Sequence, residues 1–260
     1  MMKKYSFTGL TELWCGITLY QIRAEISFGT VIKGDIGGYI KKEENLGHDG
    51  NAWVFGNARV YGNARVFGDA QVFGDARVYG DAWVYGNAQV YGNARVFGDA
   101  QVYGDARVYG DAQVYGDALV RGDAWVFYNA RVYGNARVYG NAWVRGNAQV
   151  YGNARVFGDA WVRGDALVSG NAQVFGNAQV SGDARVFSNE QLYWISKIGS
   201  RNDTTTFFNS KFGIEVSCGC FSGTLMQFSE AVEKTHGDNK HGKAYKLAIE
   251  IAKLKLGDLE

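Results

Sequence analysis

Residues 56–73 read Gly-Asn-Ala-Arg-Val-Tyr-Gly-Asn-Ala-Arg-Val-Phe-Gly-Asp-Ala-Gln-Val-Phe. The same phrase, Gly-(Asn/Asp)-Ala-x-Val-aromatic, runs through twenty-four consecutive hexapeptides from Gly50 to Tyr193, without an insertion. A repeat this short is no domain by itself; it buries surface only by stacking on its neighbours. Ala and Val lie two residues apart, so in an extended strand they share one face, and x and the aromatic take the other. Val favours strand, and Gly-Asn and Gly-Asp are turn dipeptides whose members tolerate positive φ. Each hexapeptide therefore predicts a short strand and a corner.

Three such sides close a triangular coil of eighteen residues, so 50–193 predicts an all-β solenoid, a parallel β-helix of about eight coils. At a strand spacing of about 4.8 Å the rod is roughly 40 Å long. The chain contains no proline, where average usage predicts about a dozen. A proline would delete a hydrogen bond between coils, so its absence fits a continuous ladder.

Two segments lack the repeat. Residues 1–49 carry strand-like stretches at Lys4–Thr8 and Thr18–Ile26, then Gly34–Ile40, and are expected to cap the first coil, whose open end would expose unpaired backbone. Residues 194–260 change character. Tyr193–Ile198, Thr204–Phe208 and Phe212–Ser217 predict strands, and Leu225–Thr235 and Lys243–Leu256 predict helices. On the second helix Ala244, Leu247, Ala248, Ile251 and Leu254 lie along one apolar face. A unit of about 65 residues is marginal alone and is expected to dock on the last coil.

The pairs Val54/Ala58 and Val60/Ala64 resemble the hexapeptide repeat of left-handed parallel β-helices, which have an aliphatic residue and a small one four further on. The residue after the aliphatic departs from that family, being Phe55, Tyr61 and Phe67 here. A right-handed triangular β-helix, like that of bactofilin filaments, is the alternative. As a whole the chain resembles the hexapeptide-repeat "polymer-forming" proteins of bacteriophages and prophages. The marks are Gly199-Ser200-Arg201-Asn202-Asp203-Thr204-Thr205-Thr206, Ser217-Cys218-Gly219-Cys220-Phe221 and Lys234-Thr235-His236-Gly237-Asp238-Asn239-Lys240. That resemblance implies a phage or prophage source and a bacterial host cell; it implies no mechanism.

The formal net charge is +1, which excludes both an acidic DNA mimic and a general nucleic-acid binder. Met1-Met2-Lys3-Lys4 is followed by polar residues and Glu12, so no signal peptide is expected. No run of eighteen apolar residues exists, so no membrane span is expected, and no membrane is expected among the partners. Three cysteines do not make a disulfide framework. The expectation is a cytoplasmic protein.

Many left-handed β-helices are acyltransferases with a catalytic histidine on the rod. Here the only histidines are His48, His236 and His241, all outside 51–193, so the rod offers no general base. Cys218, Cys220, His236 and His241 give C-x-C and H-x4-H, a weak zinc pattern. A thiol reading pairs Cys220 with His236 and Asp238. The rival class to a binding protein is therefore an enzyme: acyltransferase-like, or a thiol or metal activity in the C-terminal unit. The corners mix Asn with Asp, which separates carboxylates along each column and argues against calcium.

The outer surface is more telling. Residues eighteen apart stack, so one column reads Trp53, Gln71, Gln89, Arg107, Trp125, Trp143, Trp161, Gln179. Beside it the position after Val, almost always aromatic, becomes Arg145 and Arg163 on adjacent coils; Arg121 breaks the same rule on another side. Aromatic ladders stabilise parallel strands, but Trp beside Arg is also a hot-spot pairing. Trp125, Trp143, Trp161, Arg145 and Arg163 are thus the candidate binding face. It would serve a second copy, a host protein, or an anionic or aromatic ligand. The function expected is recognition without catalysis, by self-assembly or by binding and blocking a host macromolecule.

Overall fold

In the computed structural model the hexapeptides form a three-sided parallel solenoid of about eight turns. The structure describes residues 3–257, so Met1, Met2 and residues 258–260 lie outside it. Most sides are two-residue strands, such as Arg107–Val108, which pairs in parallel with Gln89–Val90 on one side and Trp125–Val126 on the other. The register is eighteen throughout the rod, as Val90 opposite Val108 and Val102 opposite Val120 show. The x and aromatic N–H groups donate to the next coil: Arg107 N to Ala124 O at 2.9 Å, Tyr109 N to Val126 O at 3.0 Å. Every repeat Ala and Val from Ala52 to Val186 is fully buried.

The corners explain the other two residue types. Gly74 holds a φ of 71°, and a Cβ on it would meet the Gly92 nitrogen at 3.1 Å. Glycine is required there both for the left-handed backbone and for the approach of the next coil. The Asn/Asp mixture does more than separate charges. Asn141 Nδ2 donates to Asp159 Oδ1 at 2.8 Å, and Asn87 does the same to Asp105 at 2.9 Å, so an amide over a carboxylate links successive corners.

At the amino end, strands β1 (Tyr5–Trp14), β2 (Ile17–Ala24) and β3 (Ile36–Ile40) form an antiparallel meander. β3 then runs parallel to the rod, with Ile40 opposite Val60. β1 is longer than the sequence predicts because a bulge between Phe7 and Thr11, at Gly9, bends it without ending it. Its far end reaches the side of the rod. Glu12 takes two hydrogen bonds from Arg59, at 2.6 and 3.0 Å, and the Arg59 guanidinium lies 4.0 Å from the Trp14 ring centre.

At the carboxyl end, strands Leu192–Ile198, Asp203–Ser210, Gly213–Cys218 and Phe221–Thr224 make one antiparallel sheet. One face closes the rod: Leu192 and Phe208 join its core, and Thr206 Oγ1 accepts from Gln179 N at 2.9 Å. The other face, with Ile198, Phe207 and Val216, is covered by α1 (Leu225–His236) and α2 (Lys240–Leu256). The fourth strand was not legible, being four residues long and containing Gly223. α2 begins three residues before the predicted start because Asn239 caps it, accepting from the His241 and Gly242 N–H groups. The predicted packing face of α2 is corrected. Tyr245, Ala248, Ile249, Ala252 and Leu256 are buried, whereas Leu247, Ile251 and Leu254 face solvent. The helix is apolar on two sides, and the larger rings and the sheet take the side centred on Tyr245 and Ala252.

Candidate recognition face

Trp125, Trp143 and Trp161 occupy three successive coils of the eight-stranded sheet. Their rings are parallel, with centroids 5.1 and 5.0 Å apart and planes within 5° and 3°. The Arg107 guanidinium covers Trp125 at 4.9 Å, and that of Arg145 lies 5.6 Å from the Trp161 centre. Stacked in this way, the tryptophans present edges rather than faces to the outside. The ring faces are occupied by one another, so a ligand meets indole edges. Trp53, the first Trp of the column, is buried in the cap against Tyr5 and Phe28.

The adjacent column stacks Phe73, Tyr91, Tyr109 and Phe127 at 4.7 to 4.9 Å and then ends. Arg145 and Arg163 continue it. Burial and the like charge of Arg145 hold the Arg163 guanidinium below the usual arginine range. Neither arginine has a carboxylate partner among the described residues. Arg59, on another side, has Glu12, and Arg121 lies over the Tyr139 ring at 4.9 Å. Arg145 and Arg163 are thus two half-buried guanidiniums one coil apart without a counter-charge among the described residues, as Arg137 and Arg155 are paired one coil apart on another side.

One contributor was missed. Tyr128 stands at the corner next to Phe127, 5.1 Å between ring centres, and is exposed. It holds a φ of 59°, where every other corner from Gly50 to Gly182 has glycine. The signal was present in the sequence as a single break in the glycine column.

The C-terminal cysteines and histidines are only partly brought together. Cys218, Cys220 and His236 line one recess of about 310 Å³, with Arg201, Phe221 and Tyr245. His241 is not among the residues lining it, and its ring centre is 5.9 Å from that of His236. Cys218 Sγ accepts from Thr205 Oγ1 at 3.1 Å, and Asp238 is bound by Lys246 Nζ at 2.9 Å. The Cys220–His236–Asp238 relay therefore lacks its orienting carboxylate. Among the described residues no group of three or more His, Cys, Asp and Glu side chains is placed to hold a metal ion. Among them, too, no helix is long and apolar enough to cross a membrane.

Comparison with protein families places the repeat. Residues 58–70, 70–86, 88–101, 100–114, 112–128, 130–146 and 148–164 match the family model described as YdcK Beta solenoid repeat. The matches lie wholly within the rod and leave both caps outside. No curated protein matches the chain.

Proposed function

We propose that this β-solenoid repeat protein acts by surface recognition, without chemistry of its own, and that the face of Trp125, Trp143, Trp161, Arg145 and Arg163 takes an acidic partner. One observation carries the reading. The aromatic ladder of that side gives way to two arginines one coil apart, of like charge and without a carboxylate partner among the described residues. Tyr or Phe at those positions would continue the stack at no electrostatic cost. An acidic partner from outside restores the balance, and the indole edges give it apolar contact.

The partner we favour is a macromolecule of a bacterial host, bound and blocked in the cytoplasm. This rests on the resemblance of the chain, its repeats and its ends together, to phage and prophage proteins. Self-assembly through the same face is weaker than the sequence suggested. Stacking leaves most ladder rings only half-exposed, which removes much of the apolar area that drives association.

The test is the triple substitution Trp143→Gln, Arg145→Tyr, Arg163→Tyr, which uses residue types the repeat already contains. Parent and variant are compared for capture of poly-glutamate and of bacterial lysate proteins, and for mass by light scattering. Capture falls by about tenfold, about 1.4 kcal/mol, while the solenoid stays folded. Equal capture and equal mass would remove this face; a change of mass alone would assign it to a second copy.

A further inference from the structure

α2 presents a second unpartnered surface, remote in sequence from the rod face. Leu247, Ile251 and Leu254 are 67%, 39% and 86% exposed. Their spacing of four and three residues places them on one crest of the helix, opposite the buried Tyr245, Ala248, Ile249, Ala252 and Leu256. A second apolar stripe, on the side away from the core, is the kind of exposed patch that marks an interaction surface. The crest is about 10 Å long at 1.5 Å per residue.

Charge says what covers it. α2 carries Lys240, Lys243, Lys246, Lys253 and Lys255 against a single acid, Glu250. Lys246 is held by Glu233 and Asp238, and Lys253 by Glu250. Lys240, Lys243 and Lys255 have no carboxylate partner among the described residues. By helical spacing Lys240 and Lys243 precede Leu247, and Lys255 borders the crest on the side of Ile251, its Nζ 5.7 Å from the Tyr193 ring centre. A second copy of the chain would set lysines against lysines. Protein–protein contacts favour Trp, Tyr and Arg and deplete Lys, and this crest has none of the first three. Flexible lysines that snorkel around a few buried aliphatic side chains suit a deformable, negatively charged surface.

We propose that α2 docks on an anionic lipid surface, with Leu247, Ile251 and Leu254 entering the headgroup–acyl boundary and Lys240, Lys243 and Lys255 on the headgroups. The C-terminal unit then anchors the protein peripherally and leaves the rod projecting from the surface for its own partner.

Flotation of the full chain with vesicles tests this, using phosphatidylcholine alone and phosphatidylcholine with about a third phosphatidylglycerol. At low salt the chain floats with the anionic vesicles and not with the neutral ones, and binding weakens as salt is added. Leu247→Gln with Leu254→Gln lowers the vesicle-bound fraction about tenfold. Lys240→Gln with Lys243→Gln and Lys255→Gln does the same. These side chains are exposed, and an unchanged melting temperature verifies the fold. The Trp143/Arg145/Arg163 triple variant floats like the parent, which separates this proposal from the function of the rod face. The proposal is overturned by absence of anionic-vesicle binding, by binding that neither α2 variant reduces, or by loss in the rod variant. Without vesicle binding, a dimer dissolved by the leucine variant would assign the crest to a second copy. A soluble acidic protein lost by that variant would assign it to a protein partner.

Discussion

Tyr128 lies directly beneath Gly110 in a column of corners. A Cβ on Gly110 would meet the Tyr128 nitrogen at 3.0 Å, and Tyr128 itself holds a φ of 59° where the column otherwise has glycine. The rod thus accepts one strained corner, and it accepts it beside the tryptophan ladder. Residues held in such backbone conformations gather at functional sites.

Tyr128→Gly therefore tests whether strain is stored there. Removing the left-handed cost gains about 1–2 kcal/mol, offset by about 0.5–1 kcal/mol of glycine entropy. The melting temperature stays level or rises by up to about 3 °C, while partner capture falls. Gly134→Ala is the control: at a φ of 66°, its Cβ would meet the Gly152 nitrogen at 3.1 Å, and that variant melts lower. A clear drop in the melting temperature of Tyr128→Gly would contradict the strain reading.

Val108→Asp probes the core. Val108 is fully buried between Val90 and Val126 of the neighbouring coils. A carboxylate there has no partner, and the expected loss is at least about 3 kcal/mol, seen as a large fall in melting temperature or as insoluble protein. Melting within a few degrees of the parent would show that Val does not point inward.

Alkaline pH separates the cap from the ladder. Lys4 is buried, donating Nζ–H to Gly50 O at 3.1 Å and lying 4.6 Å from the Phe28 ring centre. Burial lowers its pKa to about 8, opposed in part by Asp49 and Asp69. The folded pKa lies below the unfolded one, so from about pH 8 to pH 10.5 the unfolded chain binds more protons. Stability from this group therefore rises with pH across that window. Burial raises the phenols of the ladder residues Tyr79 and Tyr91, so their contribution has the opposite sign and is lost above about pH 10. Lys4→Met, which removes the cost of a buried charge, melts higher than the parent at pH 7. The difference, on the order of 2 kcal/mol, shrinks as pH rises towards 10. A difference that does not change with pH would refute the assignment.

The rod was legible because its instructions are local and repeated. A period of six with Ala and Val two apart fixes which residues point inward, and eighteen-residue spacing fixes which side chains stack. The tryptophan column could be listed from that arithmetic, and so could Arg145 and Arg163. The ends were read less well. β1 continues past a bulge that no periodicity announces, and the strand Phe221–Thr224 is too short to show a pattern. The break at Tyr128 was visible but carried no weight until its φ and its neighbour Phe127 were known.

The sequence by itself determined the solenoid, its inward Ala and Val, and the register of its outer columns, because each follows from backbone geometry and spacing along one chain. Only the tertiary structure decided how those columns are used. It turned the tryptophan faces towards one another, gave Arg59 a carboxylate in Glu12, and left Arg145 and Arg163 with none among the described residues. It also chose between two apolar sides of α2, burying Tyr245, Ala248 and Ala252 and exposing Leu247 and Leu254. Those outcomes depend on contacts between segments distant in sequence, and a one-dimensional pattern holds no information about which side of a helix a sheet will cover.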